Sequence, residues 1–240
     1  MSDLPRIDVL LTGRPPASIA DRSSFEHWFQ DQAGAAARYR PIDLTAGEAL
    51  PDRAESDGWI ISGSPQSVYA DLPWLKPARI GLAAAVAAGH PLLGVCFGHQ
   101  LLAVALGGRV APNPAGWEIG QISITLTEAG RQAAIFQGFD SPFSAYSTHG
   151  DAVLELPAGC ELLARNDRGV QSFRAGAHAY GVQFHPEFTT RIAREYVNIR
   201  KQHAVGEIVW PDEAGALTSR VLTQFIINEI GGAQNGPTAF

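Results

Sequence analysis

Apolar residues in this chain come in short unbroken runs, and the runs alternate with stretches of helical period. The first run, IDVLLT from Ile7 to Thr12, stops at Gly13 and is followed by GRPPAS, which reads as a buried strand and a loop. SSFEHWFQDQ comes next. Ser23 or Ser24 fits an N-cap, and Phe25, Trp28 and Phe29 share one helical face. YRPIDL and GWIISGSP read as a second and a third strand, the latter ended by Gly63 and Pro65. WLKPARIGLAAAVAAG reads as a helix closed by Gly89, its regular part beginning near Pro77. HPLLGV is a fourth strand running straight into Cys96, and FGHQLLAVALGG a helix ended by Gly107. Fully apolar strands alternating with helices predict a parallel sheet covered on both faces.

Beyond Gly108 the texture changes. QISITLTEAG, FSAYSTHG, CELLARND, VQSFRAG and AYGVQFHPEF are strand-like pieces between short turns, which predicts antiparallel strands extending or covering the sheet. TRIAREYVNIRKQHA and ALTSRVLTQFIINEI then read as two C-terminal helices. The second carries an apolar stripe of Leu217, Val221, Leu222, Phe225 and Ile226. The expected architecture is therefore α/β: an open, mixed but mostly parallel sheet with helices on both faces, plus C-terminal helices. Without repeats or a linker-like stretch, residues 1–230 are taken as one domain with a helical extension, and 231–240 as a flexible tail.

Composition narrows the class. The 240 residues are 45% hydrophobic and 18% charged, the balance of a soluble globular protein, and a net charge of −6 argues against a nucleic-acid partner. No apolar run reaches membrane-spanning length, and the start, MSDLPRIDVLLTG, lacks a basic segment followed by a long apolar one; a cytoplasmic location is expected. Two cysteines without metal-ligand spacing imply neither a disulfide framework nor a metal site, and no cofactor is expected.

Cys96 is the conspicuous residue. LLGVCFGHQ fits a strand, a sharp turn and a helix, with the cysteine at the apex and Gly94 and Gly98 two residues either side. With serine in its place this is the G-x-S-x-G nucleophile elbow. The glycines leave room where strand and helix crowd together, and the helix N-terminus favours the thiolate, the attacking form. A buried packing cysteine is the competing reading. A thiol nucleophile needs a base and a group that orients the base. GVQFHPEF supplies His185 and Glu187, two apart at the end of an apolar strand. A surface loop with a stray histidine would carry the same letters.

GVCFGHQLLA and GVQFHPEF, with GWIISGSPQSVY before them and STHGDAV between them, resemble in order the motifs of class I, triad-type, glutamine amidotransferases. The likeness runs from about Ile7 to Phe188. It is nearest to the glutaminase domain of GMP synthases and to stand-alone relatives that include γ-glutamyl peptidases. The resemblance implies a flavodoxin-like three-layer fold. It implies Cys96 as nucleophile toward the γ-carboxamide of glutamine, His185 as base and then acid, and Glu187 as its orienting partner. The oxyanion donors would be the backbone N–H groups of Phe97 and Gly63. Ser64 stands where the family often has a second glycine, which reduces the freedom of that peptide to flip.

Gln100, Thr148 and His149 are the candidates for holding substrate. His149 has no carboxylate two residues on, as His185 has in Glu187. Asp151 fits a turn cap equally well. Trp117 and Glu118 border the pocket, or else are a core tryptophan and a solvent glutamate. His99 and Cys160 are assigned to structure. No Gly-rich phosphate loop with a lysine is present, so a synthetase that used the ammonia of glutamine hydrolysis would be a separate subunit. The alternatives are a γ-glutamyl peptidase acting for itself and a non-catalytic binding protein on the same fold.

Overall fold

A computed structural model describes residues 4–19 and 24–231. Of the segment read as a tail, only Gly231 falls within them. Four strands, β1 (Arg6–Leu11), β2 (Arg38–Asp43), β3 (Gly58–Ile61) and β4 (Leu92–Val95), precede Cys96. Seven follow it: β5 (Arg109–Pro112), β6 (Glu118–Leu126), β7 (Phe143–His149), β8 (Asp151–Glu155), β9 (Glu161–Asn166), β10 (Gly169–Ala175) and β11 (Ala179–Val182). Nine of them form one sheet in the order β2-β1-β3-β4-β11-β10-β9-β6-β7. The first five in that order are parallel and the rest antiparallel. Pro41, which has no N–H to donate, sits in β2 at the sheet edge.

The helices are α1 (Phe25–Ala33), α2 (Leu75–Ala87), α3 (Phe97–Ala105), α4 (Glu128–Gln132), α5 (Thr190–Arg200), α6 (Glu213–Ala216) and α7 (Arg220–Gln224). Strand periodicity sorts the core into two layers. Ile7, Val9 and Leu11 of β1 face Phe25, Trp28 and Phe29 of α1 and Val221 and Leu222 of α7, all within one buried cluster. Leu10 points the other way, into a cluster with Leu75 and Leu82 of α2 and Leu101 and Leu102 of α3. Each such side chain contributes about 1.5–3 kcal/mol by leaving water. Among the described residues no helix is long and apolar enough to cross a membrane.

Two expectations change, and one ribbon adds to them. Helix α2 begins at Leu75, with Pro77 inside its first turn, where a missing N–H costs nothing. β5 and β8 leave the main sheet and pair as a separate antiparallel ribbon. The segment from Ala216 to Ile230 is not one regular helix: a 3₁₀ turn (Leu217–Ser219) precedes α7, and a π-helical turn (Phe225–Ile230) follows it. These changes of pitch move the buried stripe. Leu217 is exposed and Thr218 buried instead, while Phe225, Ile226, Glu229 and Ile230 all turn inward. Glu229 is satisfied there by Tyr180 Oη and His178 Nδ1, both at 2.7 Å.

Candidate active site

β4 and α3 meet at Cys96, whose backbone takes φ 52°, ψ −100°. It is the one described non-glycine residue with positive φ, a conformation in which a Cβ crowds its own backbone. The neighbours explain how the turn closes. A Cβ on Gly94 would lie 2.5 Å from the Gly98 carbonyl oxygen, and one on Gly98 2.5 Å from that of Ile61. Both positions exclude any other residue. The Cys96 N–H donates to the Val182 carbonyl at 2.9 Å, which ties the apex to the end of β11. Phe97 opens α3, so its N–H has no partner within the helix. His99 is fully buried against Phe173, and burial pushes its imidazole down to about 3, so it is neutral there.

β11 runs parallel to β4, with Val182 level with Val95, so the segments leaving the two strands lie side by side. His185 arrives by this route, its N–H donating to the Tyr146 carbonyl at 2.9 Å. Its ring stacks on Phe188 at 4.0 Å between centroids. Nδ1 donates to Glu187 Oε1 at 2.7 Å, since a carboxylate only accepts. That fixes the tautomer and leaves Nε2, which is buried with no hydrogen-bond partner, for the thiol side. Burial alone would lower the imidazolium pKa; Glu187 and the Cys96 sulfur outweigh it and raise it to about 10.

Gly63 covers both groups. A Cβ there would stand 3.4 Å from His185 Cε1 and 4.0 Å from Cys96 Cβ. Its φ is not in the left-handed region, so the position needs space above the cysteine rather than unusual torsions. Thr12 Oγ1 and Ser62 Oγ each lie 3.0 Å from the Gly63 carbonyl and hold the orientation of the following peptide. Further along the loop, Ser67 Oγ and Tyr69 Oη donate to the two oxygens of Asp151 at 2.8 and 3.0 Å. Asp151 is thus a clamp on this loop rather than a local turn cap.

A cavity of about 350 Å³ opens over Cys96 and brings together Gly63, Phe97, Gln100, Thr148, His149 and His185. Glu187 stands behind His185 and is fully buried. Gln100 is buried, and Nε2 donates to the Asp151 carbonyl and to Gln183 Oε1, at 2.9 and 3.1 Å, so its oxygen remains to accept. Among the described residues no three His, Cys, Asp or Glu side chains converge as a metal site would. Cys160 is half-buried on the edge of the second cluster, where burial pushes its thiol up.

The family model for class-I glutamine amidotransferases matches residues 25–200, most of the chain, including Gly63, Cys96, His149, His185 and Glu187. The chain belongs to the class-I glutamine amidotransferases. A GMP synthase of Thermomicrobium roseum is 40% identical over 131 residues, covering 54% of this chain and 23% of its own length. One from Azoarcus is 33% identical over 175 residues, 69% of this chain and 32% of its own length. The chain thus spans about a quarter to a third of these relatives. A glutamine amidotransferase structure from Methylobacillus flagellatus superposes with a TM-score of 0.74 at 22% identity, over 96% of each chain, and shares the fold.

This amidotransferase has a second histidine–glutamate pair that local spacing does not reveal. His149 Nε2 lies 2.9 Å from Glu118 Oε2, and Nδ1 donates to the Asp151 carbonyl at 2.8 Å. Glu118 is neither at the solvent nor in a loop: it is buried as the first residue of β6, level with His149 of β7. Burial pushes its pKa up, but His149, Asn166 Nδ2 at 2.6 Å and Gln171 Nε2 at 2.8 Å outweigh it, and the net direction is down. Glu118 on one side and the Asp151 carbonyl on the other occupy both His149 nitrogens. Neither nitrogen is left open, whereas His185 Nε2 has no hydrogen-bond partner. The signal for Glu118 was long-range register, which a motif two residues wide does not contain.

Proposed function

We propose that this chain hydrolyses the γ-amide of glutamine, or of a γ-glutamyl compound, through Cys96, His185 and Glu187. Cys96 sulfur attacks the γ-carbonyl carbon, with the thiol proton held on His185 Nε2. The backbone N–H groups of Phe97 and Gly63 are the proposed donors to the oxyanion. The C–N bond then breaks, the departing nitrogen takes the proton from His185, and a γ-glutamyl thioester remains. Water, deprotonated by His185, cleaves the C–S bond to give glutamate and free thiol. Gln100, Thr148 and His149 are assigned to the amino-acid end of the substrate.

The observation that carries this reading is the strained apex at Cys96 beside a buried imidazole with one nitrogen held by Glu187 and the other left open. The GMP synthase relatives support ammonia transfer to a separate synthetase subunit as one destination. The loop held by Thr12, Ser62 and Asp151 favours the second reading, a hydrolase assembled without a partner. Pure protein incubated with glutamine and with γ-glutamyl dipeptides should release glutamate, Cys96→Ala should not, and Cys160→Ala should. No release from any substrate, with or without a synthetase present, refutes the proposal. A glutaminase rate that stays at background until a synthetase is added selects the ammonia-donor reading over the hydrolase.

A further inference from the structure

The wall of the cavity nearest His185 carries a charge that the chemistry above does not use. His185, Phe188 and Tyr196 form a ring stack, with His185 and Tyr196 6.4 Å apart and 16° from parallel. Arg200 follows Tyr196 by four residues on α5, one helical turn further out. Its guanidinium lies over the Trp117 ring at 5.5 Å. That ring is fixed on two sides. It stacks on His203 at 4.8 Å, and it lies so close to Gly150 that a Cβ there would be 2.6 Å from Trp117 Cε2. Trp117 and Arg200 both line the cavity.

Among the described residues Arg200 has no carboxylate partner and donates no side-chain hydrogen bond. The other arginine of the cavity, Arg14, is already paired with Asp43 at 3.0 Å. The one acidic side chain of the lining, Asp151, has both oxygens taken by Ser67 and Tyr69. A guanidinium spread on an aromatic face keeps its N–H edge available, and that edge suits a carboxylate. Its place decides which carboxylate. His185 Nε2 protonates the departing nitrogen, so the departing amine leaves on the side of His185, Tyr196 and Arg200. Gln100, Thr148 and His149 are assigned to the glutamyl end, and Trp117, which touches Gly150 and carries Arg200, borders both ends.

We propose that Arg200, held on Trp117, is an anion-binding subsite for the leaving group, and that the preferred substrate is a γ-glutamyl amide whose amine carries a carboxylate, a γ-glutamyl amino acid or peptide. This rests on the hydrolytic reading of the same site. The bond balance is unchanged: the C–N bond breaks, the amino acid departs with the proton from His185, and water releases glutamate from the thioester.

The test compares γ-glutamylglycine with γ-glutamylglycinamide, which differ only in the terminal charge. The expected kcat/KM ratio is about tenfold or more in favour of the carboxylate, the range of a charge-assisted contact. Arg200→Gln should bring the ratio to about one, and Arg200→Lys should retain part of it. Because each ratio is taken within one protein, altered folding or basal rate cancels. A ratio near one in the wild type, or an unchanged ratio in Arg200→Gln, overturns the subsite. The same pair titrated calorimetrically into Cys96→Ala reads binding without turnover. A preference for the carboxylate there upholds the subsite even if the chain hydrolyses neither compound, and equal affinities overturn it.

Discussion

Replacing Cys96 by alanine and by glycine separates the cost of the turn from the loss of the sulfur. Both variants lack the thiol, so they differ only in the Cβ and in backbone freedom. At an ordinary buried site glycine would be the worse choice. It loses about 0.5–1 kcal/mol in chain entropy and about 0.8 kcal/mol in buried methyl, together about 1.5 kcal/mol. At Cys96 the backbone stands at φ 52°, ψ −100°, the mirror image of a torsion pair common for L-residues and open to glycine. Removing the Cβ relieves about 1–3 kcal/mol of strain. The terms offset, and the glycine variant is expected between about 0.5 kcal/mol less and about 1.5 kcal/mol more stable than the alanine variant. Urea and thermal unfolding of the pair provide the measurement. For a chain of this size an ordinary site would put glycine about 3–6 °C below alanine. A deficit of that size would refute the claim that the apex is strained.

Three further outcomes are expected. With the imidazolium of His185 raised from 6.5 to about 10, its stabilising effect is complete below pH 6.5 and lost as pH rises through 10. Wild type should therefore lose stability relative to His185→Gln across that window in denaturant titrations, and parallel profiles would contradict the assignment. Gly63→Ala should fold with stability within about 0.5 kcal/mol of wild type, because its φ is outside the left-handed region and a Cβ makes only ordinary contacts, yet lose about tenfold or more in kcat/KM as the Cβ enters the space beside His185 and Cys96. Asp151→Ala, which frees Ser67 and Tyr69, should lower kcat by about tenfold or more; the pair Ser67→Ala and Tyr69→Phe should reproduce the loss, and an undiminished rate in the double variant counts against the clamp.

The parallel half of the fold was legible because its strands are buried on both faces and read as unbroken apolar runs bounded by glycine and proline. Local chemistry was legible for the same reason: the elbow needs Gly94 and Gly98 within two residues of Cys96, and the His185–Glu187 pair is two residues apart. Contacts between distant segments were not. Glu118 meets His149 only through the register of β6 and β7, and Asp151 meets Ser67 and Tyr69 across more than 80 residues. The broken helix at the C-terminus escaped because a stripe at 3.6-residue spacing gives no sign that the pitch tightens and then widens. There Thr218, rather than Leu217, turns inward and bonds the Gly215 carbonyl at 2.8 Å.

The place of β11 in the sheet has a consequence for the order of events at birth. It is the last strand among the described residues yet lies in the middle of the sheet, between β4 and β10, and it delivers His185 to Cys96. While a ribosome is still extending the chain, β1 to β4 and the cysteine are already outside, and the imidazole that would activate the thiol has yet to be made. The parallel ladder to β4 cannot close until residues 179–182 arrive, and only then do sulfur, ring and carboxylate share one place. With the roles proposed for Cys96 and His185, reactivity is gated by the final insertion, and an unfinished or half-folded chain carries the proposed nucleophile without its base.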